Sequence, residues 1–201
     1  MRKLIASTFT SLDGVMQAPG GPNEDNFDLG GWMWAFNDDA MDFAAAGFVG
    51  IDRDLVLGRR TYEIFAAYWP QQAADNPIAK TLNADKKYVA SRTLKSLQWN
   101  NSSLLDGDVV AAITALKAQL GLDLQIIGSG NLIQTLHKAS LIDEYHIWMF
   151  PVVLGHGKRL FEQGAKPGAL RLVASKVSKT GVVMNTYVPA GDIKQGTVGQ
   201  A

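Results

Sequence analysis

Basic and glycine-rich segments follow three predicted strands of this sequence. Gly58-Arg59-Arg60-Thr61 follows one apolar segment, Ser91-Arg92 a second, and Gly128-Ser129-Gly130-Asn131-Leu132 follows a third that ends at Ile127. Glycine lets the backbone approach a ligand closely, and the first amides of a helix favour an anion. A helix N-terminus disfavours cations, so two adjacent arginines there indicate a bound anion such as phosphate. Taken singly, each arginine could be a solvated helix start and the glycine segment a tight turn.

The arginines also bear on which nucleotide would bind. NAD-specific sites place an acid after a strand to bind the ribose 2′-hydroxyl, whereas Arg59, Arg60 and Arg92 suit a 2′-phosphate. Each charged contact of this kind contributes about 1.5–3 kcal/mol. The glycine segment is not a full GxGxxG, because residue 133 is isoleucine. A conventional Rossmann fingerprint is therefore not supported.

Two further positions are candidates for polar contact with a substrate. Asp13 ends the first predicted strand, where it could orient a substrate or relay a proton; the alternative is a turn-forming aspartate before Gly14. Gly155 and Lys158 follow a long predicted strand and could receive an anionic group, or form a solvated basic turn. The residues alone leave both alternatives open.

Aromatic residues cluster shortly after a loop rich in glycine and proline, Gln17 to Asn23. Loops of this composition in compact domains are often lids or binding loops. Trp32, Trp34 and Phe36 could stack on a flat substrate. They could equally be core aromatics.

The composition excludes several classes of protein. Among 201 residues, 19 basic and 19 acidic side chains cancel, which disfavours a nucleic-acid binder, and 47% hydrophobic residues are enough for a sizeable core. No cysteine is present, so disulfides, thiolate nucleophiles and Cys-ligated zinc are excluded. His137, His146 and His156 lack a metal-ligand spacing, and we expect no metal site. We also expect no membrane span and a cytoplasmic location.

Strand and helix patterns alternate through the chain. Strands are predicted at 3–12, 54–58, 86–91, 124–127 and 144–153, and helices at 59–65, 108–120 and 131–137. A further short helix is predicted to begin at Asp38 or Asp39 and to reach about Gly47, and a hairpin to pair 169–177 with 180–188. Either Asp106 or Asp108 is expected to cap the helix at 108–120.

This order predicts a three-layer α/β domain over residues 1–188, followed by a flexible tail at 189–201. Its sheet is expected to be mixed and mostly parallel, flanked by helices, with a C-terminal β-hairpin. Ligands of such sheets bind outside the carboxyl ends of the parallel strands, where the basic and glycine-rich segments are expected.

Five segments of the chain form an ordered set: 11–16, 55–62, 89–92, 126–132 and the pair 141–145 with 151–161. In this order they resemble the dihydrofolate reductase-like superfamily, and within it the reductase domain of bacterial riboflavin biosynthesis, the RibD C-terminal domain. The resemblance covers about residues 2–188.

This resemblance implies an NADPH-dependent reductase with the dihydrofolate reductase-like fold. It places Gly58, Arg59, Arg60 and Thr61 at the adenosine phosphate and the pyrophosphate, and Ser91-Arg92 on the adenosine side. It places the segment from Ile127 to Leu132 against the pyrophosphate. Val15 and Met16 match the mobile loop over the nicotinamide.

The departures from the family bear on the substrate. Folate-reducing members carry a helical carboxylate beside the pterin, for which Asp38, Asp39 and Asp42 are candidates here. The chain lacks the length and the cysteines of the zinc deaminase that is fused to many riboflavin enzymes. It therefore resembles a stand-alone reductase of a small pteridine- or pyrimidine-like heterocycle.

The alternative is a non-catalytic NADP-binding or oligomeric scaffold with the same fold. We expect a homodimer, because the apolar strand from Glu144 to Val153 suits a subunit interface as well as a core. NADPH and a small-molecule substrate are the expected ligands.

Overall fold

A computed structural model describes residues 1–36 and 51–197 of the chain. The predicted helix from Asp38 or Asp39 to Gly47, and the carboxylate candidates Asp38, Asp39 and Asp42, lie outside the described residues.

The described residues contain one eight-stranded sheet, in the order β4-β3-β2-β5-β1-β6-β8-β7. The first six strands of this order run parallel, whereas β8 pairs antiparallel with both β6 and β7. The predicted mixed, mostly parallel sheet with a C-terminal hairpin is confirmed. The strands are β1 Leu4–Ser11, β2 Asp54–Gly58, β3 Lys86–Ala90, β4 Ser102–Leu104, β5 Leu124–Ile127, β6 Glu144–Phe150, β7 Leu170–Val177 and β8 Val183–Pro189.

Helices cover both faces of the sheet, because the central strands are apolar on both sides. Val56 of β2 packs in a core cluster with Ile113 and Leu132, whereas Leu55 and Leu57 pack with the helices of the opposite face. The result is the expected three-layer arrangement. The helices are α1 Arg59–Tyr68, α2 Pro77–Ala84, α3 Val109–Ala118 and α4 Gly130–Lys138, with 3-10 helices at Glu24–Asn26, Trp32–Phe36 and Trp69–Gln71.

Most predicted boundaries differ from the structure by one to three residues, as at the ends of β6 and β8. Strand β6 ends at Phe150, three residues before the predicted end, because Pro151 has no amide hydrogen to continue the ladder with β8. At the C-terminus β8 includes Pro189, and Ala190 N donates to Ala169 O at 2.8 Å. The paired backbone thus extends past residue 188, and the flexible tail stays a prediction.

The amino edge of the sheet contains buried ionic groups that find their partners within the protein. Lys87 is fully buried, and its Nζ donates to the carbonyl oxygens of Asn83, Asp85 and Asn100. Burial lowers the pKa of Lys87 to about 8. The nearby ion pairs are Arg2–Asp54, Arg53–Asp85 and Lys117–Asp143. These cations stabilise the fold at the edge opposite the predicted ligand site.

The N-cap of α3 provides a test of the local structure. Asp108 accepts a hydrogen bond from Ala111 N at 2.9 Å, so Asp108 rather than Asp106 is the cap. We expect Asp108→Ala to lower the free energy of unfolding by about 1 kcal/mol, since the amide loses its acceptor. Urea denaturation measures this, with Asp106→Ala as the matched control. An equal loss in both variants would contradict the assignment.

Candidate functional site

The structure brings the predicted site residues together along the carboxyl edge of the sheet. Ser91-Arg92 follows β3, Arg59 to Thr61 follow β2, Gly128 to Leu132 follow β5, Asp13 to Met16 follow β1, and the segment 155–158 follows β6. These strands are neighbours in the order β3-β2-β5-β1-β6. Since neighbouring strands lie about 4.8 Å apart, the edge from β3 to β1 is about 14 Å long.

Two strand-to-helix turns at the centre of this edge are hydrogen-bonded to each other. Ser129 Oγ accepts from Gly58 N at 3.0 Å, and Ser129 N donates to Thr61 Oγ1 at 3.1 Å. Gly128 and Ser129 both have positive φ, at +56° and +53°. The left-handed turn therefore directs the start of α4 beside the start of α1, and Thr61 supports the turn through its hydroxyl group.

The N-terminus of α4 lies close to the segment that follows β1. A Cβ atom added at Gly130 would lie 2.6 Å from Met16 Sδ. Gly130 and Asn131, the first residues of the helix, have no intrahelical acceptor for their amides. Ile127 and Leu132 are buried core residues, so their side chains do not face a ligand.

The arginines after β2 and β3 lie at the surface. Arg59, half of whose side chain is exposed, donates to Glu63 Oε1 at 2.7 Å and to Thr93 Oγ1 at 2.5 Å. Arg92 is exposed and makes no ion pair with the described residues. Ser91 Oγ accepts from the amide of Leu94 at 3.0 Å and so stabilises the turn after β3. Arg59 and Arg92 thus flank one region of the edge.

The carboxylate of Asp13 is fully engaged by the protein. Its Oδ1 accepts from Ser11 Oγ at 2.6 Å and from Leu154 N at 3.1 Å, and its Oδ2 accepts from Gly155 N at 3.0 Å. These hydrogen bonds, chiefly the one from Ser11, lower the pKa of Asp13 to about 2. The carboxylate is therefore ionised at neutral pH. This geometry supports the turn-forming alternative and does not support proton donation by Asp13.

The segments after β1 and β6 are joined by backbone pairing. Val15 forms an antiparallel bridge with Arg159, and Met16 N donates to Lys158 O at 2.8 Å. Arg159 donates to the carbonyl oxygen of Asp13 and pairs with its carboxylate. Val15 is fully buried, its amide donates to Ser11 Oγ at 2.9 Å, and its carbonyl oxygen accepts from Ser11 N at 2.8 Å, so neither its side chain nor its backbone is accessible to a ligand in this conformation.

The three predicted stacking residues occupy different environments. Trp32 is buried, its Nε1 donates to Gln17 O at 2.8 Å, and its ring centroid lies 5.3 Å from that of Phe150. The structure therefore supports a core role for Trp32. Trp34 is 52% exposed, and Phe36 is half-buried against Phe150. Substrate stacking stays a prediction for Trp34 and Phe36.

Sequence reasoning missed Asp25, which links three parts of the edge. Asp25 Oδ1 accepts from Arg60 Nε at 2.6 Å, and Oδ2 accepts from Lys158 Nζ at 2.6 Å and from Gln17 Nε2 at 3.0 Å. Residues 17–26, which we call the lid, are thereby attached to α1 and to the segment after β6. The only sequence signal was an acidic pair, Glu24-Asp25, next to a glycine- and proline-rich loop.

Other kinds of site find no support in the described part of the chain. Residues 1–36 and 51–197 contain no group of three histidine, aspartate or glutamate side chains placed to hold a metal ion. Among the same residues, every helix is too short or too polar to cross a membrane.

The chain is similar in sequence to a known protein family and to two bacterial proteins. The family model described as RibD C-terminal domain matches residues 2–184. The uncharacterized protein YyaP of Bacillus subtilis (strain 168) is 26% identical over 189 residues, which cover 92% of this chain and 94% of YyaP. The uncharacterized protein YwjB of the same strain is 27% identical over 179 residues, covering 87% of this chain and 91% of YwjB.

Solved structures show the same fold. A protein of Shewanella sp. PV-4 that is described as a riboflavin biosynthesis protein matches with a TM-score of 0.65 and 25% identity, over 94% of this chain and 99% of that chain. A pyrimidine reductase-like protein of Corynebacterium diphtheriae matches at 0.61 with 16% identity, over 95% and 93% of the two chains. Enterococcus faecalis dihydrofolate reductase, complexed with NADP(H), matches at 0.57 with 14% identity, over 93% and 96%.

The structural role of Asp13 predicts a specific pH dependence. The pKa of Asp13 in the folded protein is below its ordinary value, so its stabilising contribution is present above about pH 4 and is lost as the pH falls towards 2. The difference in free energy of unfolding between wild type and Asp13→Asn should therefore shrink over this range. Urea denaturation from pH 6 to pH 2 measures it, with the exposed Asp192→Asn as control. A difference that is constant with pH would refute the role.

Proposed function

Because the chain belongs to the RibD C-terminal domain family, we propose that it is an NADPH-dependent reductase that transfers a hydride to a small heterocyclic substrate, pteridine- or pyrimidine-like. The observation that carries the proposal is the order of groups along the carboxyl edge. Cationic side chains, a left-handed glycine turn and the segment after β1 follow one another on adjacent strands.

This order matches the parts of an extended dinucleotide. Arg59 and Arg92, after β2 and β3, are suited to a ribose 2′-phosphate through charge-assisted hydrogen bonds. Next along the edge, the starts of α1 and α4 offer backbone amides to a pyrophosphate. The nicotinamide would then lie near Met16, beyond β5.

The backbone at the centre of the edge fits such a ligand. Gly58 and Gly130 present no side chain where the two turns converge, and a Cβ at Gly130 would contact Met16. Gly128 adopts a positive φ that β-branched or bulky residues rarely tolerate. The glycine at position 130 leaves room for Met16 to lie against the start of α4, while the amides of Gly130 and Asn131 remain available to an anion.

The chemistry that this site needs from the protein is limited. NADPH, when bound, supplies the hydride, and the protein has to orient the two reactants and exclude water. Asp13 contributes as a positioning residue, because it fixes the Leu154–Gly155 turn beside the segment after β1. The exposed ring of Trp34 is available to stack on a planar substrate.

The Shewanella relative is described as a riboflavin biosynthesis protein, and this supports a nitrogen heterocycle as the substrate class. The expected homodimer and the cytoplasmic location stay predictions, and light scattering of the purified protein measures the first.

Binding of the cofactor gives the first test. We expect Arg92→Ala and Arg59→Ala each to raise the Kd for NADPH about tenfold, the equivalent of one charged contact, with little change in the Kd for NADH. Fluorescence titration measures both constants, and Arg171→Ala on β7 is the matched control. Equal losses for the two cofactors would contradict the 2′-phosphate assignment.

Turnover gives the second test. The purified protein should oxidise NADPH in the presence of at least one acceptor from a panel of pterins, pyrimidines, quinones and nitroaromatics, followed by the loss of absorbance of the reduced nicotinamide. Tight binding of NADPH without turnover on any acceptor would instead support a non-catalytic scaffold.

A further inference from the structure

An acidic side chain of the lid pairs with two cations of the carboxyl edge. The carboxylate of Asp25 contacts Arg60 Nε and Lys158 Nζ, each at 2.6 Å, while its own side chain is only 12% exposed. Arg60 and Lys158 are both more than half exposed. The protein therefore supplies its own anion at an edge where we propose that a phosphate binds.

The lid is held in place mainly by polar contacts. Gln17 donates to Asp25 and accepts from Lys158 N at 3.1 Å. Gly20 N donates to Glu24 Oε2 at 2.7 Å within the lid itself. Met16, directly before the lid, lies against Gly130 of the glycine turn. The lid itself connects Arg60 at the start of α1 with Lys158 in the segment after β6.

The conformation at Asp25 is itself unfavourable. Asp25 and Asn26 both adopt the left-handed region, with φ of +53° and +52°, inside a 3-10 turn. Residues other than glycine populate this region uncommonly, although aspartate and asparagine tolerate it better than most. The ion pairs of Asp25 with Arg60 and Lys158 therefore offset part of the cost of this backbone conformation.

The carboxylate is charged at neutral pH. Although desolvation opposes ionisation, the hydrogen bonds from Lys158 and Arg60 lower the pKa of Asp25 overall. The two partner cations are exposed to solvent, and ion pairs with exposed partners are weak and exchangeable. A phosphate group presents more acceptor oxygens than one carboxylate and can replace both contacts.

We propose that Asp25 is an internal counter-ion that latches the lid over Arg60 and Lys158, and that a phosphate group of the dinucleotide must displace it to bind. The inference rests on the proposed function, since it names the regulation of the same site. In the ligand-free protein the carboxylate of Asp25 competes with the incoming phosphate. The two cations are released when the lid opens.

A competing interpretation makes the opposite prediction. If Asp25 only held Arg60 and Lys158 in a geometry ready for phosphate, its removal would disorder them and weaken binding. A latch that competes with the ligand should instead strengthen binding when it is removed. The direction of the change therefore separates the two roles.

The test compares Asp25→Asn with Asp28→Asn. Asp28 lies in the same region, is 71% exposed and pairs with His156, so both variants remove one negative charge near the site. We expect Asp25→Asn to lower the Kd for NADPH three- to tenfold and Asp28→Asn to leave it within twofold. An unchanged or raised Kd in Asp25→Asn, or an equal gain in both variants, would overturn the latch.

A second measurement needs no dinucleotide. Amide hydrogen exchange of residues 17–31 in the ligand-free protein should be at least threefold faster in Asp25→Asn than in wild type or Asp28→Asn, and inorganic pyrophosphate should bind the variant more tightly. If NADPH binds none of the proteins, the proposed function fails, while these two readouts still decide the latch. Unaltered exchange together with unaltered pyrophosphate binding would overturn it.

Discussion

The site depends on the pair of hydrogen bonds that joins the two central strand-to-helix turns. Ser129 Oγ accepts a hydrogen bond from Gly58 N, and Ser129 N donates one to Thr61 Oγ1. The starts of α1 and α4 are therefore fixed beside each other. Without this connection the amides of the two helices would not converge on one point. The positive φ of Gly128 and Ser129 makes the connection possible, because only a left-handed turn directs the Ser129 side chain back towards β2.

Charge is distributed differently at the two edges of the sheet. At the amino edge, Lys87 is buried and satisfied by three backbone carbonyl oxygens. At the carboxyl edge, Arg59, Arg60 and Lys158 remain exposed and pair with Glu63 and Asp25. The first arrangement buries its cation inside the fold, whereas the second leaves cations at the surface, where we propose that a phosphate binds. Asp25 neutralises two of them in the ligand-free protein, which lowers the repulsion between neighbouring positive charges.

The lid connects this electrostatic arrangement with the aromatic core. Trp32 anchors the lid by donating to Gln17 O, and its ring packs on Phe150 at the end of β6. If the lid opens at Asp25, as we propose, the hydrogen bond between Trp32 and Gln17 O can remain in place. The segments after β1 and β6 are paired with each other through Val15 and Arg159, beside the lid.

The sequence by itself determined the alternation of strands and helices, the strand ends at which arginines and glycines gather, and the family to which the chain belongs. The first two features follow from local periodicity and from residue types at fixed offsets, which act over a few residues. The family follows from the resemblance of five ordered segments, which the family model over residues 2–184 bears out. Only the tertiary structure decided that Trp32 belongs to the core, that Asp13 fixes a turn, and that Asp25 pairs with Arg60 and Lys158. Those contacts join residues 35, 133 and 141 positions apart, and no local pattern encodes which distant partner a side chain will meet.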